Sequence, residues 1–281
     1  MAGGEPSPQV AALLPEARAT IDRVARSFAL AARLLPPAVR RDVDLLYLAL
    51  RSIDDLVDVQ SRNSDAERAA ATRRIAAIEA WSDEHGASAI THGRNEADGG
   101  RELMIFEDLC RRYPLLPRDA VADFLAGMRA DLVGPRIETE AEHEQYCYQV
   151  AGTVGRLMAA ILGVSSGADG AADRAARSLG VAMQRTNILR DIDEDLAAGR
   201  VYISDEALRA AGLDPSATRG ARSLRDGDRR ALLRDQIARA DAGYEAGVDG
   251  IRLLRHGRRS IVAAAALYRE ILRQKIGRAH V

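Results

Sequence analysis

The stretch Gln184–Ser204, "QRTNILRDIDEDLAAGRVYIS", decides how the rest of the chain is read. Its composition is that of a helix, and helical spacing puts Gln184, Ile188, Asp191 and Asp195 on one broad face, flanked by Asn187 and Arg190. Yet Asp191, Asp193, Glu194 and Asp195 crowd into its second half. Like charges one turn apart on a helix repel by about 0.2–0.5 kcal/mol per pair. Local structure gains nothing from this crowding, so either water screens the acids or a cation relieves them.

Outward from this helix the sequence continues in the same style. Alanine and leucine dominate an apolar fraction of 47%, aromatic residues are only 4%, and alternating strand patterns are nearly absent, which favours helices over a sheet. Periodicity predicts helices near 15–33, 37–60, 64–85, 101–112, 117–133, 139–163, 170–198, 204–211, 226–255 and 258–275. Between them lie polar or glycine-rich breaks such as "GASAITHGRNEADGG", "VGPRIE", "SSGADG" and "GLDPSATRGARSLRDGD". No break is long enough to divide the chain, and no fixed repeat is present. The expectation is one all-α domain over residues 1–281, with 1–14 a flexible lead.

Charge and composition narrow the function classes. Forty Lys and Arg against 41 Asp and Glu leave a formal charge of −1, which removes the electrostatic reason to expect nucleic-acid binding. Cys110 and Cys147 form no CxxC pair, and the five histidines show no metal-ligand spacing, so reduced thiols and no zinc site are expected. The longest apolar run, "IVAAAALY" at 261–268, is far too short to span a bilayer. A cytoplasmic protein is expected, with peripheral contact to one membrane leaflet left open.

A second acid cluster stands in "RSIDDLVD", Arg51–Asp58. On a helix Val43, Tyr47, Asp54 and Asp58 fall in a narrow stripe, because separations of four, seven and four residues nearly restore the angle. Asp55 points away from that line and reads as an ordinary solvent-facing acid. One such pair is common on surfaces; two pairs on two helices point to a shared ligand. Facing carboxylates suit Mg²⁺, a hard cation that takes oxygen ligands while bridging substrate phosphates. Arg51 and Arg190 either bind a diphosphate or form salt bridges to Asp55 and Glu194.

With these motifs and "ARSFALAARLLPPAVRRDVDLLYLALRSIDDLVD", "YCYQVAGTVGRLM" and "AAALYREIL" in order, the sequence resembles the squalene/phytoene synthase family over nearly its whole length. The resemblance implies an isoprenoid-synthase helical bundle around a central hydrophobic cavity. It further implies Mg²⁺, with Mn²⁺ as a substitute, on Asp54, Asp58, Asp191 and Asp195. Substrate contacts would come from Ser27, Phe28, Arg51, Gln184, Asn187 and Arg190, and Tyr47, Tyr146 and Tyr268 would stand at the cavity or its mouth as catalytic groups beside Arg51. The implied reaction joins two prenyl diphosphates head to head through a cyclopropylcarbinyl diphosphate. No nicotinamide-binding GxGxxG is present, so no NADPH step is expected.

Alternatives remain at this level. Small residues Ala29, Ala31 and Ala32 after Phe28 tilt the expectation toward geranylgeranyl diphosphate and phytoene over farnesyl diphosphate and a squalene-type product. A terpene cyclase acting on one prenyl diphosphate would use the same acids, and a non-catalytic prenyl-lipid-binding or assembly protein would have no use for them. "AGTVG", Ala151–Gly155, fits either a cavity wall or close helix packing. Asp44 is either a surface acid or part of the cavity wall, and His143 is expected to face solvent.

Overall fold

The computed structural model describes residues 4–24, 31–62, 65–83, 96–133, 136–216, 218, 224 and 228–279. Its helices are α1 Pro8–Ala11, α2 Leu14–Val24, α3 Pro37–Arg62, α4 Asp65–Asp83, α5 Glu96–Arg112 and α6 Arg118–Val133. They continue with α7 Glu140–Cys147, a π-helical turn Tyr148–Gly152, α8 Thr153–Leu162, α9 Asp169–Ala197, α10 Asp205–Ala210 and α11 Arg229–Val248. A 3-10 turn, Asp249–Leu253, leads to α12, Arg258–Ala279. Among the described residues the nearest thing to a strand is an isolated bridge between Val164 and Leu254.

Local chemistry sets the boundaries. Thr139 caps α7 while Glu142 returns a bond to the Thr139 backbone, a full capping box, and Ser204 and Asp228 cap α10 and α11. Gly199, at φ 79°, ends α9 in the left-handed region; its N–H reaches the Leu196 carbonyl and that of Arg200 the Asp195 carbonyl at 2.8 Å. The predicted single helix over 139–163 runs through the π turn, and the predicted 226–255 helix tightens into the 3-10 turn before its end.

Two apolar clusters hold the bundle. One gathers α2–α6 around Leu45, Leu46, Ile75, Phe106 and Leu125. The other gathers α9–α12 around Leu189, Leu208, Leu232 and Tyr244. Each fully buried aliphatic side chain contributes about 1.5–3 kcal/mol of transfer free energy. Helix α9 borders both clusters, through Leu189 in the second and Ala176 against the first.

Residues 4–14 are tied down, contrary to the flexible lead expected for them. Val10 is fully buried, the Ser7 N–H donates to Asp108 at 3.0 Å, and Arg41 bonds Glu5. Behind this arm, buried Arg112 bridges Asp42 and Asp108 at 2.7 and 2.8 Å, and the Tyr113 hydroxyl donates to Asp42. Asp44 is neither on the surface nor in the cavity wall. It is buried between α2 and α3, with Arg18 at 3.6 Å and Arg40 at 4.0 Å, and burial pushes its carboxyl up. Among the described residues no helix is long and apolar enough to cross a membrane.

Candidate active site

A cavity of about 430 Å³ runs through the bundle, within the range of ligand pockets. Its walls are α3 (Val43, Leu46, Tyr47, Leu50), the π turn and α8, α9, and α12 (Ile261, Ala264, Tyr268). Its floor is Leu162, Ala172, Gly250, Ile251 and Leu254, and its rim carries Gln184, Asn187 and Arg190. Along α9 the cavity extends from Arg190 to Ala172, about 27 Å at 1.5 Å per residue. The wall is largely apolar, so water gains little by entering it.

Small residues make the walls close. A Cβ on Gly155 would lie 2.3 Å from the Ala176 carbonyl oxygen, and one on Gly180 would lie 2.4 Å from that of Ala151. Both open alternatives for "AGTVG" are therefore realised: Ala151 and Gly155 line the cavity, and the glycines let α8 and α9 approach backbone to backbone. The π turn is anchored from outside by Tyr148, whose hydroxyl donates to Asp123 at 2.6 Å and whose ring lies 4.2 Å beneath the Arg177 guanidinium. Such turns leave backbone groups incompletely paired, and they recur at functional sites.

At the mouth, acids and arginines meet. Arg51 bonds both Asp54 and Asp55, Arg190 grips Asp191 through two bonds of 2.7 and 2.6 Å, and Arg200 reaches Asp195 at 2.9 Å. Asp55 is exposed, as its position off the stripe predicts. Tyr47 and Tyr268 stand together at the rim, and burial pushes the Tyr47 phenol up despite the nearby Arg51 charge. Gln184 accepts from Asn187 at 3.3 Å, while the Asn187 Oδ1 atom is buried with no hydrogen-bond partner among the described residues. Asp54, Asp191 and Asp195 do not converge into one three-carboxylate cluster; among the described residues no three of His, Cys, Asp and Glu do. The Asp58 side chain, and Ser27, Phe28 and Ala29 entirely, lie outside the described residues. Ala31 and Ala32 are buried but do not line the cavity.

Tyr146, expected among the catalytic tyrosines, lies behind the cavity. Its hydroxyl and that of Tyr202 both donate to Asp131, at 3.0 and 2.9 Å, and the two rings stack with centroids 5.5 Å apart. Burial pushes the Tyr146 phenol up, so it remains a protonated donor. Arg200 and Tyr202 belong to the same stretch as the α9 acids, whereas Asp131, on α6, stands in no sequence motif. His143 is buried against the expectation, because it belongs to a polar knot beneath Gln184. There Arg185 donates to Glu140 at 3.2 Å and Gln236 at 3.1 Å, and His143 Nδ1 lies 3.3 Å from Arg185. Burial pushes the Glu140 carboxyl up, but bonds from His143 and Ser204 and the Arg185 charge outweigh it and hold that carboxyl well below the usual range.

Comparison with known proteins matches this arrangement to one family. The squalene/phytoene synthase family model matches residues 21–276. Phytoene synthase of Thermus thermophilus is 37% identical over 250 residues, covering 88% of this chain and 77% of its own length. The 15-cis-phytoene synthase of Synechocystis is 34% identical over 258 residues, covering 88% of this chain and 72% of its own. Among solved structures, a dehydrosqualene synthase in complex with ligand superposes with a TM-score of 0.75 at 24% identity, covering 97% of this chain and 90% of that one. A squalene synthase from Alicyclobacillus acidocaldarius gives 0.74 at 21% identity, covering 98% and 97%; both likenesses are of fold. The chain belongs to the squalene/phytoene synthase family.

Proposed function

We propose that this chain is a prenyltransferase that condenses two prenyl diphosphates head to head, two geranylgeranyl diphosphates giving phytoene. The observation that carries the reading is the apolar cavity, closed by a floor and rimmed by arginines and acids from α3 and α9. The named relatives support the reaction class.

The residues divide the work by chemistry. Arg51 and Arg190 hold the diphosphates by charge-assisted bonds, with Gln184 as a neutral donor beside them. Asp54, Asp58, Asp191 and Asp195, with the unpartnered Asn187 Oδ1, offer oxygen donors of the kind that would hold Mg²⁺, or Mn²⁺ in its place, once the carboxylates are drawn together. Bound there, Mg²⁺ would neutralise diphosphate charge and make it a better leaving group. The apolar walls exclude water from the allylic cation, so the second substrate's alkene is the available nucleophile. Tyr47 and Tyr268 at the rim orient the leaving diphosphate through their hydroxyls; the released diphosphate takes the proton, assisted by one of these tyrosines as its hydrogen-bond partner. Tyr146 acts from behind, through Asp131. The activity calls for no NADPH and no nucleic acid, and peripheral contact with a membrane belongs to the same proposal.

The test is incubation with Mg²⁺ and, separately, geranyl, farnesyl and geranylgeranyl diphosphate, followed by mass analysis of the hydrocarbons. A product with twice the carbon count of geranylgeranyl is expected. A cyclic product with the substrate's own carbon count would replace coupling with cyclisation.

A further inference from the structure

A π turn is less favourable than the regular helix it interrupts, so the neighbours of Tyr148–Gly152 must hold it. Its defining bond runs from the Thr153 N–H to the Tyr148 carbonyl, five residues back. The Gln149 carbonyl, which a regular helix would give to that N–H, accepts from the Thr153 hydroxyl at 2.8 Å instead. On the inner side the turn is cavity wall, through Val150 and Ala151. On the outer side it meets a network with no part in the chemistry above. Arg156, largely buried, donates through Nη1 to the Tyr148 hydroxyl at 2.9 Å and to Asp119 at 2.8 Å, and through Nε to Asp173 at 2.7 Å. Tyr148 in turn donates to Asp123, beneath the Arg177 guanidinium. Three helices thus converge on one phenol: α6 with Asp119 and Asp123, α8 with Arg156, and α9 with Asp173 and Arg177.

The spacing of the clamp matches the turn it spans. Tyr148 and Arg156 are eight residues apart, which on a regular helix of about 100° per residue would set them about 80° apart around the axis. The π turn absorbs one residue, so the eight behave as seven and the angle falls to about 20°. Both side chains then stand on one face, two turns apart, where the bond between them forms. A regular helix through the same residues would break that bond. With α8 held against α9 at Gly155, it would also rotate the segment before the turn by about 100°. Tyr146 lies in that segment, and its bond to Asp131 would be lost.

We propose that Tyr148 and Arg156 are positioning residues for the coupling reaction: their bond across the π turn keeps Val150 and Ala151 in the cavity wall and Tyr146 on Asp131. Neither residue lines the cavity, and each acts through the turn. The diphosphate grip, on α3 and the far half of α9, stays in place when the clamp opens, so the loss falls on kcat and spares KM. Misplacement of a reacting geometry by about 1 Å can cost about a hundredfold in rate. The kinetic consequence rests on the prenyltransferase reading above, whereas the hold on the turn is measured without substrate.

Tyr148→Phe removes the hydroxyl and keeps the ring under Arg177. In this variant kcat should fall roughly 10–100-fold with KM within about twofold, and hydrogen exchange of the 148–153 amides, read by mass spectrometry without substrate, should quicken at least about tenfold. Tyr113→Phe is the control, since it removes a buried hydroxyl bonded to Asp42 away from the cavity; it should lower the melting temperature comparably and leave kcat unchanged. Asp123→Asn retains an acceptor oxygen and should keep near-normal kcat, whereas Asp123→Ala should follow Tyr148→Phe; this pair decides the matter if Tyr148→Phe does not fold. Combining Tyr148→Phe with Arg156→Gln should add little to the larger single effect, because both release one turn. Unchanged amide exchange, a kcat that tracks melting temperature as closely in Tyr113→Phe as in Tyr148→Phe, or fully multiplicative effects in the double variant would overturn the proposal. Absence of hydrocarbon from the wild-type protein would instead refute the catalytic reading, and the exchange comparison would still decide whether the clamp holds the turn.

Discussion

Replacing Ala176 by leucine tests whether α9 measures substrate length. Ala176 lines the cavity fourteen residues from Arg190, a depth of about 21 Å below the diphosphate rim. The added side chain enters open cavity volume, so the overpacking cost of about 1–3 kcal/mol seen in filled cores is an upper limit here. The far isoprene unit of a geranylgeranyl chain loses its burial site, whereas a farnesyl chain ends short of it. At about 0.8 kcal/mol per buried methylene, four to five carbons are worth about 3–4 kcal/mol, or a ~10²–10³-fold fall in kcat/KM. Ala176→Leu should therefore invert the preference when the two diphosphates compete in one tube and the hydrocarbons are weighed by mass spectrometry. A parallel fall for both substrates with an unchanged product ratio would refute the placement of the tail along α9; a matching melting temperature shows that the variant has folded.

Three further outcomes are expected. Asp54→Asn and Asp191→Asn each remove a negative donor at the mouth and should lower turnover at least ~10²-fold at saturating Mg²⁺, with thermal unfolding nearly unmoved since both are partly exposed; near-normal turnover would defeat the metal assignment. Gly180→Ala places a Cβ 2.4 Å from the Ala151 carbonyl oxygen. It should cost roughly 1–3 kcal/mol, with about 2–4 °C of melting temperature per kcal/mol in a chain of this size, and an unchanged melt would mean that the π turn moves freely away from α9. Stability should fall with acid in two stages. Burial holds the His143 imidazole below its usual value, so the unfolded chain takes up its proton first, and stability declines as pH drops below about 6.5. Glu140, depressed in the fold, adds a second loss below about 4.3 as its unfolded form protonates. His143→Gln should flatten the first stage in urea titrations; an unaltered profile would assign that stage elsewhere.

The site is legible in sequence where it is helical and opaque where it is tertiary. Tyr47 and Asp54 share a stripe because a regular helix fixes their angle, and α9 does the same for Gln184, Asn187, Arg190 and Asp191. Tyr146 belongs to a motif, but its direction is set by Asp131, fifteen residues earlier on another helix, and no local pattern announces that acceptor. His143 and Asp44 look polar enough for water, yet each is buried with arginines contributed by other helices, Arg185 for one and Arg18 for the other. Periodicity reports that a face is wet or dry without naming what will cover it. The central cavity is implied by the family resemblance, whereas local pattern does not report it, for a related reason: alanine and glycine score as good packing or as breaks, and only the assembled walls reveal that they leave a space.

The N-terminal arm carries a consequence for synthesis. The Ser7 amide meets Asp108 across 101 residues of chain, so during synthesis this arm lacks that partner until α5 follows it out of the ribosome. At about 5–20 residues per second that interval lasts roughly 5–20 s, during which the Ser7 amide is without its Asp108 acceptor. The arm around Ser7 is thus made well before it is fully seated, which makes it natural ground for a nascent-chain chaperone.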